Sequence, residues 1–469
     1  MPKGKFYITT SIAYTNAPPH VGYALELVQA DVIARYQRLL GKDVFFLTGT
    51  DEHGEKIVKA AEKAGKGSKE FTDNISSKFK DLAKVLNISN DDFIRTTDEK
   101  RHWPTVQKIW KELVDKGDIY KKKYKGLYCV GCEAFVKEKD LVNGKCPNHQ
   151  QEPKVVEEEN YFFKLSKYSD KVKKAVEKEE IKIIPSSRKN EILSFIKQGV
   201  EDTSCSRSSE NLKWGIPVPG DDSQIIYIWF EALANYLSAL ESSGKEDFWP
   251  ADVHCIGKDI FRFHVLLWPA MLLALGKKLP ENIFVHGYIT SGGQKISKSL
   301  GNVIDPFELV GKYGVDPLRY FLLRELPPTE DGDFTIERLK ERYNSDLAKG
   351  LGNLVARVIT LATKFKVKTQ SPKFKKEISK AKKDCEAALE EFKFNEALVS
   401  IWGLISFCDR NVEKEKLWEG GEGKKDKIAS LLFVISEIAK LLQPFLPETS
   451  ERIFKQLKTK QSKSLFPRF

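Results

Sequence analysis

The chain has 469 residues and a mass of 53.4 kDa, enough for about three domains with sizeable cores. Its composition of 41% hydrophobic and 30% charged residues excludes a disordered chain, a collagen-like repeat and a disulfide scaffold. Lysine and arginine number 77 against 66 aspartate and glutamate residues, a net charge of +11. A polyanionic partner and a merely lysine-rich composition explain this excess equally well.

The apolar segments are too short to span a membrane. The longest, residues 265–275, contains Pro269, whereas a spanning helix needs about 20 apolar residues. The N-terminus leads into a strand-like run and lacks a signal-peptide core. These features predict a cytoplasmic protein with no membrane partner, in which disulfides are not expected.

The first fifty residues show a strand, a helix and a second strand. A β-rich run at 6–10 precedes a loop, and apolar positions at helical spacing from Val21 to Leu40 end at Gly41. The apolar run 44–47 is typical of a buried parallel strand. The pattern predicts half of a doubly wound α/β sheet, with a nucleotide site at the loop after the first strand.

A lysine-rich segment from about 116 to 222 interrupts this pattern and is interpreted as an insertion. Strand-like runs then return at 225–229, 252–256 and 283–285, with an apolar helix at 261–275. From about residue 335, long amphipathic segments predict a helical bundle. The sequence therefore predicts a Rossmann-type parallel sheet that is split by an insertion and followed by an all-α domain.

The insertion contains a metal-ligand pattern, Cys129-x2-Cys132-x13-Cys146-x2-His149. Three thiolates and an imidazole in paired CxxC and CxxH spacing fit one tetrahedral zinc ion. Four protein ligands leave no open position, so the predicted role of this zinc knuckle is structural. The alternative is a knuckle that has lost its metal.

Two loops have the chemistry of phosphate binding. His20 stands at the predicted start of the first helix, where free N–H groups and the helix dipole attract phosphate, and Gly22 allows close approach. Lys295, Ser297 and Lys298 lie in the flexible segment 293–302, and two lysines there suit a triphosphate. Taken alone, each is more often a capping loop or a solvated basic loop.

Together, His20-Val21-Gly22-Tyr23 and Lys295-Ile296-Ser297-Lys298-Ser299 resemble the HIGH and KMSKS signatures of class I aminoacyl-tRNA synthetases. Segments that resemble the methionyl-tRNA synthetase family cover almost the whole chain, at 12–16, 50–54, 214–219, 229–236, 256–268 and 301–306. The resemblance implies a ligase that activates methionine with ATP and Mg²⁺. The resemblance also implies that this ligase then transfers methionyl to the 2′-hydroxyl of the terminal adenosine of tRNA(Met).

The resemblance also implies the site residues. The implied catalytic residues are His20, Lys295 and Lys298. The implied ATP-binding residues are Asn16, His20, Gly22, Tyr23, Gly257, Asp259, Lys295, Ser297 and Lys298. The implied methionine-binding residues are Ile12, Ala13, Tyr14, Asp51, Trp229, Tyr236, Phe263, His264 and Trp268. Aromatic faces suit a thioether, which His264 or Tyr236 would touch, and Asp51 would take the ammonium.

The helical bundle is implied to read the anticodon through Asp409, Arg410 and Trp418. The sequence departs from the family pattern at Asp409, Asn411 and Leu417, at Tyr23 in the HIGH-like motif, and at His149, where many relatives have a fourth cysteine. Tyr23 cannot carry positive charge, so His20 is expected to carry more of the transition-state stabilisation.

The predicted domains are 1–115 and 223–290 for the two halves of the catalytic domain, 116–222 for the knuckle insertion, 291–345 for the KMSKS-type loop and stem-contact region, and 346–469 for the anticodon-binding bundle. The chain ends without the appended tRNA-binding barrel that dimerises some relatives, so a monomer is predicted. The alternatives are another class I synthetase, a non-catalytic RNA-binding paralogue, and a nucleotidyltransferase of the same superfamily.

Overall fold

The structure is a computed structural model that describes residues 4–136, 138–147, 150–296, 302–367, 371–421 and 423–467. The chain divides into two compact units, one made of residues 1–19, 41–83 and 90–285 and the other of 20–40, 84–89 and 286–469. Among the described residues, no helix has the length and apolar character needed to cross a membrane.

The strands follow one another along the chain as β1 (Lys5–Tyr14), β2 (Asp43–Asp51), β3 (Asp92–Arg95), β4 (Ile119–Cys129), β5 (Ala134–Val136), β6 (Lys154–Phe163), β7 (Lys182–Ile184), β8 (Thr203–Ser204), β9 (Ser206–Ser208), β10 (Pro217–Val218), β11 (Asp221–Ile226), β12 (Val253–Gly257), β13 (Asn282–His286), β14 (Ile289–Ser291), β15 (Gln294–Lys295) and β16 (Gly332–Asp333).

The α-helices are α1 (Val21–Leu39), α2 (Glu55–Lys63), α3 (Ser68–Val85), α4 (Trp103–Asp115), α5 (Leu165–Glu177), α6 (Ser186–Lys197), α7 (Ile228–Ala232), α8 (Asn235–Ser243), α9 (Trp268–Ala274), α10 (Pro306–Tyr313), α11 (Val315–Arg324), α12 (Ile336–Arg342), α13 (Asn353–Lys364), α14 (Lys375–Glu390), α15 (Phe394–Lys414), α16 (Lys424–Leu442) and α17 (Pro447–Thr459). Short 3₁₀ turns span Glu138–Asp140, Glu246–Phe248 and Leu417–Glu419, and π-helical stretches span Phe263–Leu267 and Tyr343–Gly352.

The first unit is organised around a six-stranded sheet in the order β3-β2-β1-β12-β13-β7. Strand β1 pairs in parallel with both β2 and β12. Both β1 and β2 are buried along most of their length, as in a parallel sheet that is covered on both faces. The predicted strand–helix–strand beginning and the parallel α/β sheet are confirmed.

The stretch from 116 to 222, continued to Ile226 by β11, forms two smaller sheets. One has the order β5-β4-β6-β8, with a long antiparallel ladder between β4 and β6, and the other has the order β10-β11-β9. Strand β7 lies within the same stretch but pairs in parallel with β13 at the edge of the six-stranded sheet. The inserted segment therefore contributes one strand, β7, to the six-stranded sheet.

The prediction of a main-sheet strand at 225–229 was wrong: the strand there ends earlier and belongs to a smaller sheet. Strand β11 ends at Ile226 and pairs with β9 and β10, and α7 begins at Ile228. A short, fully buried apolar run has no periodicity that separates a strand from a helix. Trp229 consequently lies on a helix.

The second unit combines α1 with the helices from α10 onward and the small sheet β15-β14-β16. At its centre the guanidinium of Arg319 is fully buried, 2.8 Å from the Asp31 carboxylate, and it donates to the carbonyls of Pro444 and Phe445. Burial opposes ionisation of Asp31, but Arg319 and Arg35 lower its pKa. This fully paired charge joins α1 and α11 to the segment that follows α16.

The predicted all-α region after residue 335 is confirmed.

Candidate active site

The carboxyl ends of β1 and β2 lie side by side at one edge of the parallel sheet. Their register places Tyr14 opposite Asp51, with Ile12 and Ala13 immediately before Tyr14 on β1. The N–H and hydroxyl of Thr15 both donate to the Asp51 carbonyl, at 3.0 and 3.1 Å. Open α/β sheets bind their ligands at this edge, so these four predicted pocket residues stand where a ligand is expected.

Asp51 carries a buried carboxylate whose Oδ1 has no hydrogen-bond partner among the described residues. Burial, followed by the charge of Glu231, raises the pKa of Asp51 well above its ordinary value. Buried polar atoms are nearly always hydrogen-bonded. This unsatisfied carboxylate oxygen at the strand ends could accept a hydrogen bond from a cationic group, such as an ammonium.

Two further predicted residues form a flat aromatic wall. Trp229 on α7 and Phe263 after β12 stack face to face, with ring centroids 4.0 Å apart and ring planes within 4°. Both rings are partly exposed, so they present apolar surface to a ligand. The Trp229 indole N–H donates to the Cys132 carbonyl at 3.3 Å, which ties this wall to the cysteine motif.

Tyr236, His264 and Trp268 form a buried cluster. The His264 Nδ1 lies 3.1 Å from the Ile260 carbonyl, so Nδ1 carries the proton and Nε2 accepts from the Tyr236 hydroxyl at 2.7 Å. Burial lowers the pKa of His264 to about 4, which keeps this imidazole neutral. Tyr236 and Trp268 have centroids 5.9 Å apart. The Nδ1 hydrogen bond fixes the His264 ring to the backbone, and its Nε2 orients the Tyr236 hydroxyl.

A second buried network lies behind Asp51 and was missed from the sequence. Glu231 joins His53 through Oε1 at 2.8 Å and His102 through Oε2 at 2.9 Å. Burial opposes ionisation of Glu231, but the two imidazoles lower its pKa. Glu231 and His53 fall inside segments that resemble the family. His102 carries no sequence signal, because its contact with Glu231 spans 129 residues.

The segment at 50–54 ends with a glycine, Gly54, whose position requires the absence of a side chain. Its φ is 109°, and a Cβ there would overlap the Tyr14 hydroxyl and stand 3.0 Å from a carboxylate oxygen of Glu133. Only glycine combines this backbone conformation with such close approach. Glycine at this position therefore leaves room for the Tyr14 hydroxyl and the Glu133 carboxylate to contact each other.

The predicted nucleotide residues of the first unit also lie at the strand ends. Asn16 follows β1 and is half-buried, whereas Gly257 closes β12, the strand that pairs with β1. Asp259 follows two residues later and is exposed. These three residues are placed at the carboxyl edge of two neighbouring strands.

The remaining nucleotide residues belong to the second unit. His20 is the N-cap of α1, and its Nδ1 accepts from the Gly22 N–H at 3.0 Å. A Cβ at Gly22 would stand 2.8 Å from the His20 imidazole, so glycine makes room for that ring. The next residue, Val21, donates its N–H to the Ile304 carbonyl at 3.2 Å, and Tyr23 is half-buried on α1.

The structure describes the lysine-containing loop up to Ile296 and again from Asn302. Lys295 ends the short strand β15, and the turn before it is anchored where Asp333 accepts from the Gly293 N–H and the Thr290 hydroxyl, each at 2.8 Å. Ser297 and Lys298 lie outside the described residues. The contact of Val21 with Ile304 brings the start of α1 beside the segment that follows this loop.

The cysteines of the knuckle pattern converge. The sulfurs of Cys129, Cys132 and Cys146 all lie within 4.8 Å of one another, and those of Cys132 and Cys146 are 3.5 Å apart. Tetrahedral zinc with Zn–S bonds of about 2.3 Å requires sulfurs about 3.8 Å apart, so the three thiols fit one ion. His149 lies outside the described residues.

The predicted anticodon residues lie at the end of α15 and just beyond it. Arg410 and Trp418 are exposed. Asp409 is half-buried, its Oδ1 has no partner among the described residues, and burial raises its pKa. The sequence interpretation missed Arg357 on α13, whose guanidinium lies 6.0 Å from the centre of the Trp418 ring and pairs with Glu413 at 2.8 Å.

The split parallel sheet and the helical bundle have the architecture of a class I aminoacyl-tRNA synthetase. The family model for class I tRNA synthetases (M) matches residues 6–154 and 136–359, and that for the anticodon-binding domain of tRNA ligase matches residues 373–468. The chain is 45% identical to the methionine–tRNA ligase of Caldanaerobacter subterraneus over 97% of its length and 74% of that protein. With the enzyme of Brucella suis it shares 42% identity over 99% of its length and 94% of that protein. The chain belongs to the methionine–tRNA ligase family.

Solved structures agree with this assignment. The methionyl-tRNA synthetase of Mycobacterium tuberculosis, determined in complex with methionyl-adenylate, superposes with a TM-score of 0.92 at 35% identity, and the match covers 100% of both chains. The apo form of that enzyme gives a TM-score of 0.85 at 32% identity, covering 99% of this chain and 98% of the other. The predicted family and fold class are confirmed.

Proposed function

We propose that this chain activates methionine with ATP to methionyl-adenylate and then transfers methionyl to the terminal adenosine of tRNA(Met). The observation that carries the proposal is the unsatisfied Asp51 oxygen beside Tyr14 at the strand ends. The Trp229–Phe263 stack is linked to Tyr14 through Cys132 and Glu133 of the knuckle loop. A carboxylate for an ammonium and aromatic faces for a thioether suit free methionine.

The first step is an in-line attack of the methionine carboxylate on the α-phosphorus of ATP, with pyrophosphate leaving. Magnesium would accompany ATP and neutralise phosphate charge. Since His20 Nδ1 accepts from Gly22, its Nε2 carries the proton and is the donor for phosphate oxygens in the transition state. Lys295 and Lys298 are proposed to bind the leaving pyrophosphate, while Asn16, Gly257 and Asp259 hold the nucleotide.

The proposed function is tested by ATP–pyrophosphate exchange with purified protein, without tRNA, against single amino acids. We expect exchange that depends on methionine and does not occur with leucine, isoleucine or cysteine. Exchange with another amino acid would keep the fold and overturn the assigned pocket. Absence of exchange from folded, zinc-loaded protein would favour a non-catalytic paralogue.

The knuckle is proposed to hold one structural zinc ion through Cys129, Cys132, Cys146 and His149. Replacing Cys146 by Ser is expected to reduce bound zinc from about one ion per chain to almost none and to lower the Tm. Zinc content and thermal unfolding measure both effects. The control is Cys385→Ala, a buried cysteine on α14 outside the cluster, which should keep its zinc. Full zinc content in the Cys146 variant would contradict the ligand set.

The bundle is proposed to bind the anticodon, with Trp418 as a stacking surface for an unstacked base and Arg357, Asp409 and Arg410 beside it. Replacing Arg357 by Ala is expected to raise the Kd for tRNA(Met) about 10- to 100-fold. Lys440→Ala, which removes an exposed lysine paired with Glu437, is the control and should change the Kd little.

The same titration, repeated over a range of salt, should show log Kd rising linearly with log salt concentration, because lysines and arginines replace counterions on the phosphates. Equal losses for Arg357→Ala and Lys440→Ala would indicate a general charge effect rather than anticodon contact. The monomeric state and the cytoplasmic location stay predictions, and light scattering tests the first of them.

A further inference from the structure

Glu133 occupies an unusual position directly after the second cysteine of the knuckle. Its side chain is buried, and its backbone φ is 50°, a left-handed conformation that residues with a long side chain rarely adopt. The Tyr227 hydroxyl donates to its carbonyl. Such backbone strain persists only where the surroundings impose it. The surrounding fold therefore holds Glu133 in a conformation that the residue does not prefer by itself.

The carboxylate of Glu133 bridges three elements. Its Oε1 accepts from the Lys56 N–H at the start of α2, at 2.6 Å, and from the Tyr14 hydroxyl at the end of β1, at 3.0 Å. Its Oε2 accepts from the Tyr128 hydroxyl on β4. Both oxygens are thus engaged by protein donors, and one of those donors belongs to the methionine pocket.

The Tyr14 hydroxyl lies between two acceptors, one of which is Glu133. The Tyr14 ring lies at the strand end, is half-buried, and packs on one side against the apolar core. The hydroxyl lies 3.0 Å from the His53 carbonyl as well as 3.0 Å from Glu133 Oε1. The absence of a side chain at Gly54 leaves the space in which the hydroxyl and the carboxylate meet.

Two consecutive residues of the knuckle loop therefore contact two different walls of the pocket. The Cys132 carbonyl accepts from the Trp229 indole, and the Glu133 carboxylate accepts from the Tyr14 hydroxyl. The second contact spans 119 residues of sequence. We propose that Glu133 is a positioning residue for methionine: it fixes Tyr14 against the strand end and so sets the affinity of the pocket. This inference rests on the proposed function.

A matched pair of variants tests the proposal. Glu133→Asp keeps the charge and tolerates the left-handed backbone, but its carboxylate is one methylene too short to reach Tyr14. Glu133→Gln removes the charge but keeps an oxygen at the same reach for Lys56 and Tyr14. In methionine-dependent exchange, Glu133→Asp is expected to raise the methionine KM about tenfold and leave the KM for ATP unchanged. Glu133→Gln is expected to stay within about threefold of the wild type.

Two controls separate positioning from a general structural role. Tyr128→Phe removes the hydrogen bond to the other carboxylate oxygen; it is expected to lower the Tm without changing the methionine KM. Zinc content should be equal in all of these variants. In a Tyr14→Phe background, Glu133→Asp should have no further effect on the methionine KM, because the contact is already lost.

An unchanged methionine KM in Glu133→Asp would overturn the proposal for Glu133. If the wild type still showed methionine-dependent exchange, the proposed function would be unaffected. Equal rises in the KM for methionine and for ATP, or loss of zinc in Glu133→Asp, would assign Glu133 a structural role and also overturn it. Additive effects of Tyr14→Phe and Glu133→Asp would show that Glu133 acts by another route. Absence of exchange in the wild type would instead count against the proposed function.

Discussion

Replacing Asp51 by Asn is expected to raise the methionine KM about 10²- to 10³-fold, with little change in the KM for ATP. The variant removes one partner of a buried charge pair, a loss of about 2–5 kcal/mol. The same variant should unfold at an equal or higher temperature without ligand, because the buried carboxylate resists ionisation in the folded chain. Exchange kinetics and thermal unfolding measure the two effects.

The pH dependence gives a second readout for Asp51. Its folded-state pKa is raised, so protonation of the folded carboxyl begins at a higher pH than in the unfolded chain. As the pH falls through the raised pKa, the wild-type methionine KM should rise, whereas that of Asp51→Asn should stay flat. The control is Asp43→Asn, an exposed aspartate at the opposite end of the same strand. A wild-type methionine KM in Asp51→Asn would exclude Asp51 as the ammonium ligand.

The second large effect is expected at His20. Replacing His20 by Ala should slow methionine-dependent exchange about 10²- to 10³-fold, the usual cost of losing one transition-state donor. Methionine affinity should change little, because the pocket residues lie on β1, β2, α7, α8 and the segment from Phe263 to Trp268. Single-turnover formation of the adenylate measures the rate, and equilibrium dialysis measures methionine binding.

His20 also caps α1, so a matched variant is needed to separate the two roles. His20→Ser keeps a side-chain oxygen that can accept from the first turn of the helix but cannot reach a phosphate. We expect both variants to be slow, and only His20→Ala to lose about 1 kcal/mol of stability through the missing cap. If His20→Ser exchanged at the wild-type rate, the cap rather than the imidazole donor would account for the effect.

The proposed pocket is supported by residues of two kinds. Tyr14, Asp51, Trp229 and Phe263 are proposed to contact methionine. Glu133 and the His53 carbonyl accept from the Tyr14 hydroxyl, and Glu231 joins His53 to His102. The supporting residues are buried and paired, as groups that orient others need to be. We therefore expect substitutions in the supporting set to act mainly on methionine affinity.

Much of the fold could be predicted from local pattern. The strand–helix–strand beginning and the helical bundle follow from apolar periodicity, which each segment carries by itself. The error at 225–229 arose where a buried apolar run has no periodicity to distinguish strand from helix. The return of β7 to the main sheet had no signal either, because strand order depends on contacts between distant segments.

By itself the sequence determined the residue types of the proposed site: the His20 and Lys295 motifs, the cysteine spacing, and the aromatic residues with Asp51. These are short patterns in which each residue is informative beside its neighbours. Only the tertiary structure decided which distant groups support them, such as Glu133 for Tyr14 and Arg357 for Trp418. Hydrogen bonds and ring contacts across 50 to more than 100 residues are set by chain packing, and a single sequence carries no local trace of them.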